Sequence, residues 1–137
     1  MVDLPTKLQL TVVTRERRVL VEEVDEVVVP ATDGYIGILP GHTPLLAMLK
    51  IGVMMYRAGG RERHLAISWG FAEVLPDRVI LLAEGAYFPD EVDVPAAERE
   101  RLEAEKELAR LASNDPEFAA TEAKLEESIA KIQVAGR

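Results

Sequence analysis

The sequence predicts an N-terminal antiparallel β-sandwich, residues 1–88, followed by a C-terminal antiparallel two-helix hairpin, residues 89–137. Three observations carry that expectation. Residues 7 to about 84 form short β-branched runs cut by turn residues at spacings of roughly 8 to 12. From Pro95 onward there is no glycine until Gly136, and Ala, Glu, Leu, Lys and Arg dominate instead. The change of periodicity falls near Phe88-Pro89-Asp90.

The expected strands, in order, are Leu8–Thr14, Val19–Glu22, Asp25–Val29, Tyr35–Ile38, Leu45–Met48, Val53–Arg57, His64–Ser68, Phe71–Leu75 and Val79–Ala83. Pro30, Asp33-Gly34, Pro40-Gly41, Gly59-Gly60 and Pro76-Asp77 punctuate them. Ala58-Gly59-Gly60-Arg61 and Pro76-Asp77-Arg78 suit hairpin connections. Asp93 or Val94 precedes Pro95, a residue well tolerated in the first turn of a helix. Ala97, Ala104, Leu108 and Leu111 then share one helical face. Ser113-Asn114-Asp115-Pro116 should end that helix and start the next, with Asp115 as N-cap and Pro116 first in the helix. The second helix carries a stripe of Phe118, Leu125, Ile129 and Ile132, and a small-residue face of Ala119, Ala123, Ala130 and Val134. A hairpin of about 40 residues has little core of its own and must lean on the sandwich or on another protein. Two apolar faces allow one for the sister helix and one for a changeable partner.

Composition narrows the function classes. Of the 137 residues 48% are hydrophobic, enough to fill a core, and 29% are charged. No apolar run approaches the roughly 18 to 20 residues of a membrane span, and Met1-Val2-Asp3-Leu4-Pro5-Thr6-Lys7 lacks the pattern of a signal peptide. There is no cysteine, which excludes disulfides and thiolate metal sites and fits a reducing cytosolic setting. A net charge of −8 argues against a phosphate-driven nucleic-acid binder. Catalytic motifs are missing too. Gly34, Gly37 and Gly41 do not make a dinucleotide fingerprint, and Ala66-Ile67-Ser68-Trp69-Gly70 lacks the first glycine of a nucleophile elbow. His42 and His64 are too few and too isolated for a metal centre. Arg15, Arg17, Arg18 and Arg57, Arg61, Arg63 flank turns and suit solvated hairpins better than a phosphate site. The carboxylates of the helical half suit solvated faces paired with Lys and Arg. A non-catalytic chain is expected.

The most specific stretch is Gly34-Tyr35-Ile36-Gly37-Ile38-Leu39-Pro40-Gly41-His42-Thr43-Pro44-Leu45-Leu46. Its three glycines and two prolines encode one particular path of turns. From the residues alone, His42 suits a turn-capping role. Further on come Gly52, Ala66-Ile67-Ser68-Trp69-Gly70-Phe71-Ala72-Glu73-Val74, Val79-Ile80-Leu81-Leu82-Ala83-Glu84, Glu91-Val92-Asp93 and Ile132-Gln133-Val134-Ala135. Taken in this order, along nearly the whole chain, they resemble the epsilon subunit of bacterial F-type ATP synthases. Trp69 is a local departure, because the family often has glycine there.

The resemblance implies a non-catalytic subunit that binds the gamma subunit and seats the central stalk on the c-subunit ring. In that setting it couples proton (or sodium) flow to ATP synthesis. It implies a hairpin that lies on the sandwich or extends toward the alpha and beta subunits and inhibits ATP hydrolysis. The location implied is peripheral, at the cytoplasmic face of the cell inner membrane. The family's c-ring histidine maps to His42, and an acidic position of the same loop in some members maps to Tyr35. Some members bind ATP through an Ile/Leu-Asp-x-x-Arg-Ala motif and arginines of the second helix. Here the motif reads Val92-Asp93-Val94-Pro95-Ala96-Ala97, so the aspartate is kept and the arginine position is Ala96. The two second-helix positions read Glu127 and Lys131. Losing guanidinium forks and gaining a carboxylate should weaken ATP binding, leaving no cofactor expected. Asp93 then suits a helix N-cap, and Arg99 and Arg101 compensate only in another register. The rival reading is a free-standing β-sandwich adaptor whose helical hairpin binds one soluble partner.

Overall fold

The structure is a computed structural model and describes residues 4–137; the expectations drawn on Met1, Val2 and Asp3 lie outside the described residues. Eight strands are present among the described residues: β1 Leu8–Val13, β2 Arg18–Val24, β3 Glu26–Ala31, β4 Gly34–Ile38, β5 Leu45–Leu49, β6 Gly52–Ala58, β7 Arg61–Leu75 and β8 Arg78–Tyr87. A 3-10 turn, Pro89–Glu91, leads to helix α1, Val94–Arg110, and helix α2, Phe118–Ala135.

The strands run in the order β2-β1-β8-β7-β5-β3-β4, with β6 joining β3 to β7. This is the expected sandwich, but β1 and β8 pair in parallel, Gln9 opposite Arg78 through Val13 opposite Leu82. The other pairings are antiparallel. All eight strands send side chains into one core, among them Leu10, Val24, Val29, Ile38, Leu49, Tyr56, Leu65 and Leu81. Alternate residues enter it, as the two-residue period of a strand requires. Tyr56 is enclosed there, and burial, with Glu22 beside it, pushes its phenol up to about 12.

Local chemistry explains the connections. Gly59 and Gly60 both have positive φ (58° and 78°) and join β6 to β7 in a two-residue turn closed by Ala58 opposite Arg61. Pro76-Asp77 joins β7 to β8, with Leu75 opposite Arg78. Pro30, expected to end a strand, lies inside β3 opposite Tyr35, and its carbonyl accepts from the Lys50 N–H at 2.9 Å.

The two expected strands His64–Ser68 and Phe71–Leu75 are halves of one strand, β7. Its first half pairs with β6 and its second with β5, and the change falls at Trp69-Gly70. Trp69 has φ +42°, a left-handed conformation that costs an ordinary L-residue about 1–2 kcal/mol. Gly70 has φ +146°, and a Cβ there would lie 1.9 Å from the Leu82 carbonyl oxygen. Periodicity registers the bend as a gap between strands, because two consecutive left-handed residues interrupt the pleat.

The hairpin is folded onto the sandwich through α2, which packs on β6 and β7. Asp93 is the N-cap of α1 and accepts the Ala96 N–H at 3.1 Å. α2 begins two residues later than expected. Asp115 accepts the Glu117 N–H at 2.8 Å, but Pro116 and Glu117 form a turn and Phe118 opens the helix. The local Asx-turn wins over capping, as it can when an Asp side chain reaches its own backbone two residues on. Ala130 and Val134, with Ala123, pack against Ile51 and Ala66 of the sandwich. Phe118, Leu125 and Ile132 are half-buried, while Ala119 and Ile129 are exposed.

The β7 bend yields a paired expectation. Gly70→Ala should lower stability by at least about 3 kcal/mol, because backbone on β8 must move. Trp69→Gly should stay within about 1 kcal/mol of the natural chain, since lost strain offsets added unfolded-state freedom. Urea unfolding of both variants measures the difference, and a native-like Gly70→Ala midpoint contradicts the close approach.

Candidate functional site

Three regions of the surface have built features. The first is the loop between β4 and β5. Leu39 accepts the His42 N–H at 3.1 Å, with Pro40 and Gly41 between them and Gly41 at φ +85°. That is the pattern of a type II turn. The Gly41 N–H donates to the Pro76 carbonyl at 2.7 Å, which ties this loop to the β7–β8 turn. His42 Nδ1 donates to the Thr43 carbonyl at 2.6 Å. With Nδ1–H engaged, a neutral ring carries its lone pair on Nε2. Leu39, Leu45 and Leu46 beside it are exposed.

Tyr35 lies elsewhere. It is the second residue of β4, opposite Pro30, with the Lys50 ammonium 5.9 Å from its ring centroid. A cleft of about 560 Å³ places it with Met55, His64, Gln133 and Arg137, at the end of α2. Burial, followed by Arg137, lowers the His64 imidazole pKa. The two residues grouped from the loop motif thus belong to two surroundings, one at the sandwich turn and one beside the hairpin.

The second region is the outer face of the sheet, which the motif reading missed. Met48 lies opposite Phe71, Phe71 opposite Leu82, and Leu82 opposite Val13. Met48, Phe71 and Leu82 are 57%, 46% and 53% exposed. Cross-strand partners sit side by side on one face, so four strands present a continuous apolar row. Trp69 and Leu46 are exposed as well. Burying a large apolar side chain is worth roughly 1.5–3 kcal/mol, so half-exposed members leave a substantial driving force for association. The available signal was Leu45-Leu46-Ala47-Met48-Leu49, where apolar residues fall on both faces of one strand.

The third region is the junction of hairpin and sandwich, where Asp93, Ala96, Glu127 and Lys131 gather. A cavity of about 180 Å³ is bordered by Tyr87, Asp93, Ala96, Glu100 and Lys131. A second, of about 520 Å³ between α1 and α2, is bordered by Glu100, Glu103, Glu107, Glu127, Lys124 and Lys131. The Ser68 hydroxyl donates to a Glu127 carboxylate oxygen at 2.8 Å, across from β7 to α2. Lys131 Nζ stands 3.3 Å from Glu127, 3.8 Å from Glu100 and 4.7 Å from the Tyr87 ring centroid. Burial opposes its charge, but Glu127, Tyr87 and Glu100 outweigh that and raise the ammonium pKa. Burial also pushes the Tyr87 phenol up, with Glu127 adding to it. Arg101 is held on the α1 surface by Glu98 at 2.9 Å and Glu105 at 2.7 Å. Sequence reasoning missed Ser68 and Tyr87 as members of this junction, since only the fold sets β7 and β8 against α2.

No helix among the described residues is long and apolar enough to cross a membrane. Residues 7–89 match the family model described as the beta-sandwich domain of the ATP synthase delta/epsilon chain, and residues 90–136 match its long alpha-helix domain. The chain is 44% identical over 131 residues to ATP synthase epsilon chain 1 of Syntrophotalea carbinolica, covering 96% of this chain and 95% of that one. It is 43% identical over the same span to the ATP synthase epsilon chain of Citrifermentans bemidjiense, with the same coverage. Its fold is similar to a chain of the Euglena gracilis mitochondrial ATP synthase OSCP/F1/c-ring structure, with a TM-score of 0.83 and 24% identity over 99% of this chain and 85% of that one. A sandwich with a docked hairpin, matched along both parts, places this chain in the family of ATP synthase epsilon chains, as a subunit of the rotary complex.

Proposed function

We propose that this chain is a non-catalytic coupling subunit, seated by its sandwich on the gamma subunit and on the c-subunit ring. The apolar row Met48–Phe71–Leu82–Val13 carries this reading, because a sandwich with a complete core has no other use for so much exposed apolar surface. Residues 1–88 supply the binding to gamma and the c ring. The rigid turn around His42, tied to Pro76, suits a contact that must transmit torque without yielding. Residues 89–137 supply regulation: docked, as here, the hairpin is stored, and extended toward the alpha and beta subunits it inhibits ATP hydrolysis. The chain is peripheral, held at the cytoplasmic face of the inner membrane only through the complex.

The junction supports little or no binding of ATP. Its larger cavity sets four carboxylates against two ammonium groups, a poor wall for a triphosphate. Asp93 is occupied as a helix cap, and Ala96 offers no cation. Arg101, one of the two candidate compensators with Arg99, is committed to two carboxylates of its own helix.

Three outcomes test this reading. Phe71→Asp and Leu82→Asp should each weaken capture of purified gamma at least tenfold while leaving the chain folded, as a buried unpaired charge demands. Unchanged capture would move the gamma surface elsewhere. In the reconstituted complex, His42→Glu should impair ATP-driven ion pumping more than ATP hydrolysis by the detached head. Equal loss of both would assign His42 to turn stability alone. Calorimetry with ATP should give no saturable micromolar binding, and arginine restored at both Ala96 and Glu127 should raise affinity. Micromolar binding by the natural chain would refute the electrostatic account.

A further inference from the structure

We propose that Ser68, Glu127, Lys131 and Tyr87 form a ligand-free latch that holds the hairpin on the sandwich. The proposal deepens the reading of the hairpin as a movable regulatory part and rests on it. The apolar contact beneath the hairpin is thin. Its buried members are Ile51, Ala66, Ala130 and Val134, whereas the sandwich core is formed from all eight strands. Alanines at two of those four positions bury little area, so polar contacts weigh heavily in the balance.

Those contacts are specific and cross the junction. Ser68 is almost fully buried and donates its hydroxyl proton to Glu127 at 2.8 Å. One turn along α2, Lys131 pairs with Glu127 and stands over the Tyr87 ring of β8. A hydrogen bond to an ionised acceptor is among the stronger kinds, and a partly desolvated cation over an aromatic face adds to it. Lys131 also approaches Glu100 of α1, so one ammonium group links both helices to the sandwich. Ser68 precedes the bend residue Trp69, so its hydroxyl is presented from a backbone that the Gly70 contact holds in place. Glu127 thereby serves as the hinge of the latch: it accepts from the sandwich on one side and neutralises Lys131 on the other.

The chain has no cysteine, so one introduced thiol reports opening without background. Ala66→Cys puts it on β7 beneath Ala130 and Val134, where labelling by a thiol reagent requires the hairpin to lift. In that full-length background, Ser68→Ala and Glu127→Ala should each speed labelling about tenfold. The double variant should be no faster than about the quicker single, because both remove the same bond. Glu127→Gln, which keeps an acceptor for Ser68, should fall in between, and Lys131→Met should also speed labelling. ATP should leave every rate unchanged. Unchanged rates in Ser68→Ala and Glu127→Ala, strictly multiplicative effects, or slowing by ATP would each overturn the latch. If Ser68→Ala does not fold, Glu127→Gln and Lys131→Met decide alone, and native rates in both overturn it. Capture of gamma by the same proteins is a separate readout: its failure would sink the assembly reading and leave the labelling result standing.

Discussion

The close approach of Gly70 to the Leu82 carbonyl is the constraint on which the rest of this structure depends. Only a residue without a side chain fits there, and only because it fits can β7 turn from β6 to β5 within one strand. That turn is what lets eight strands surround a single core. It also separates two functions along one strand. Ser68, just before the bend, faces the hairpin; Phe71, just after it, faces out with Met48 and Leu82. Trp69 bears the strain of the transition in a conformation that glycine would take freely.

The two faces of the sandwich differ in how they are satisfied. The face beneath the hairpin combines Ile51 and Ala66 with Ser68 and Tyr87, which meet the charged Glu127 and Lys131 of α2, so docking is specific and its apolar component is modest. The opposite face carries the exposed row of Met48, Phe71 and Leu82, with Glu73 and Glu84 exposed two residues further along the same strands. Association at the row removes apolar area from water. This difference suits a permanent seat on one side and a reversible contact on the other. Most of the net charge of −8 falls in residues 89–137, chiefly on Asp90, Glu91, Asp93, Asp115 and Glu117 beside the helices, while the lysines and arginines of α1 and α2 tie carboxylates into local pairs.

Glu127, at a position where the family resemblance implies a basic side chain, gains its sense from this arrangement. In isolation it reads as the loss of a cation. In the fold the carboxylate has two partners, Ser68 and Lys131, and neither is evident from spacing along the chain. Tyr35 and His42, seven positions apart on one motif, have different neighbours: Tyr35 borders the cleft at the end of α2, and His42 stands in the turn tied to Pro76.

The sequence by itself determined what depends on local backbone and period. Paired glycines set the β6–β7 turn, Asp93 capped α1, and the loss of glycine after Pro95 announced the helices. Tertiary structure alone decided the rest. The parallel β1–β8 pair, the two partners of β7 on either side of Trp69, the apolar row across four strands and the Ser68–Glu127 bond all join residues distant in sequence. Local propensity carries no record of such partners, since each is selected by where the chain folds back and what side chain it then meets.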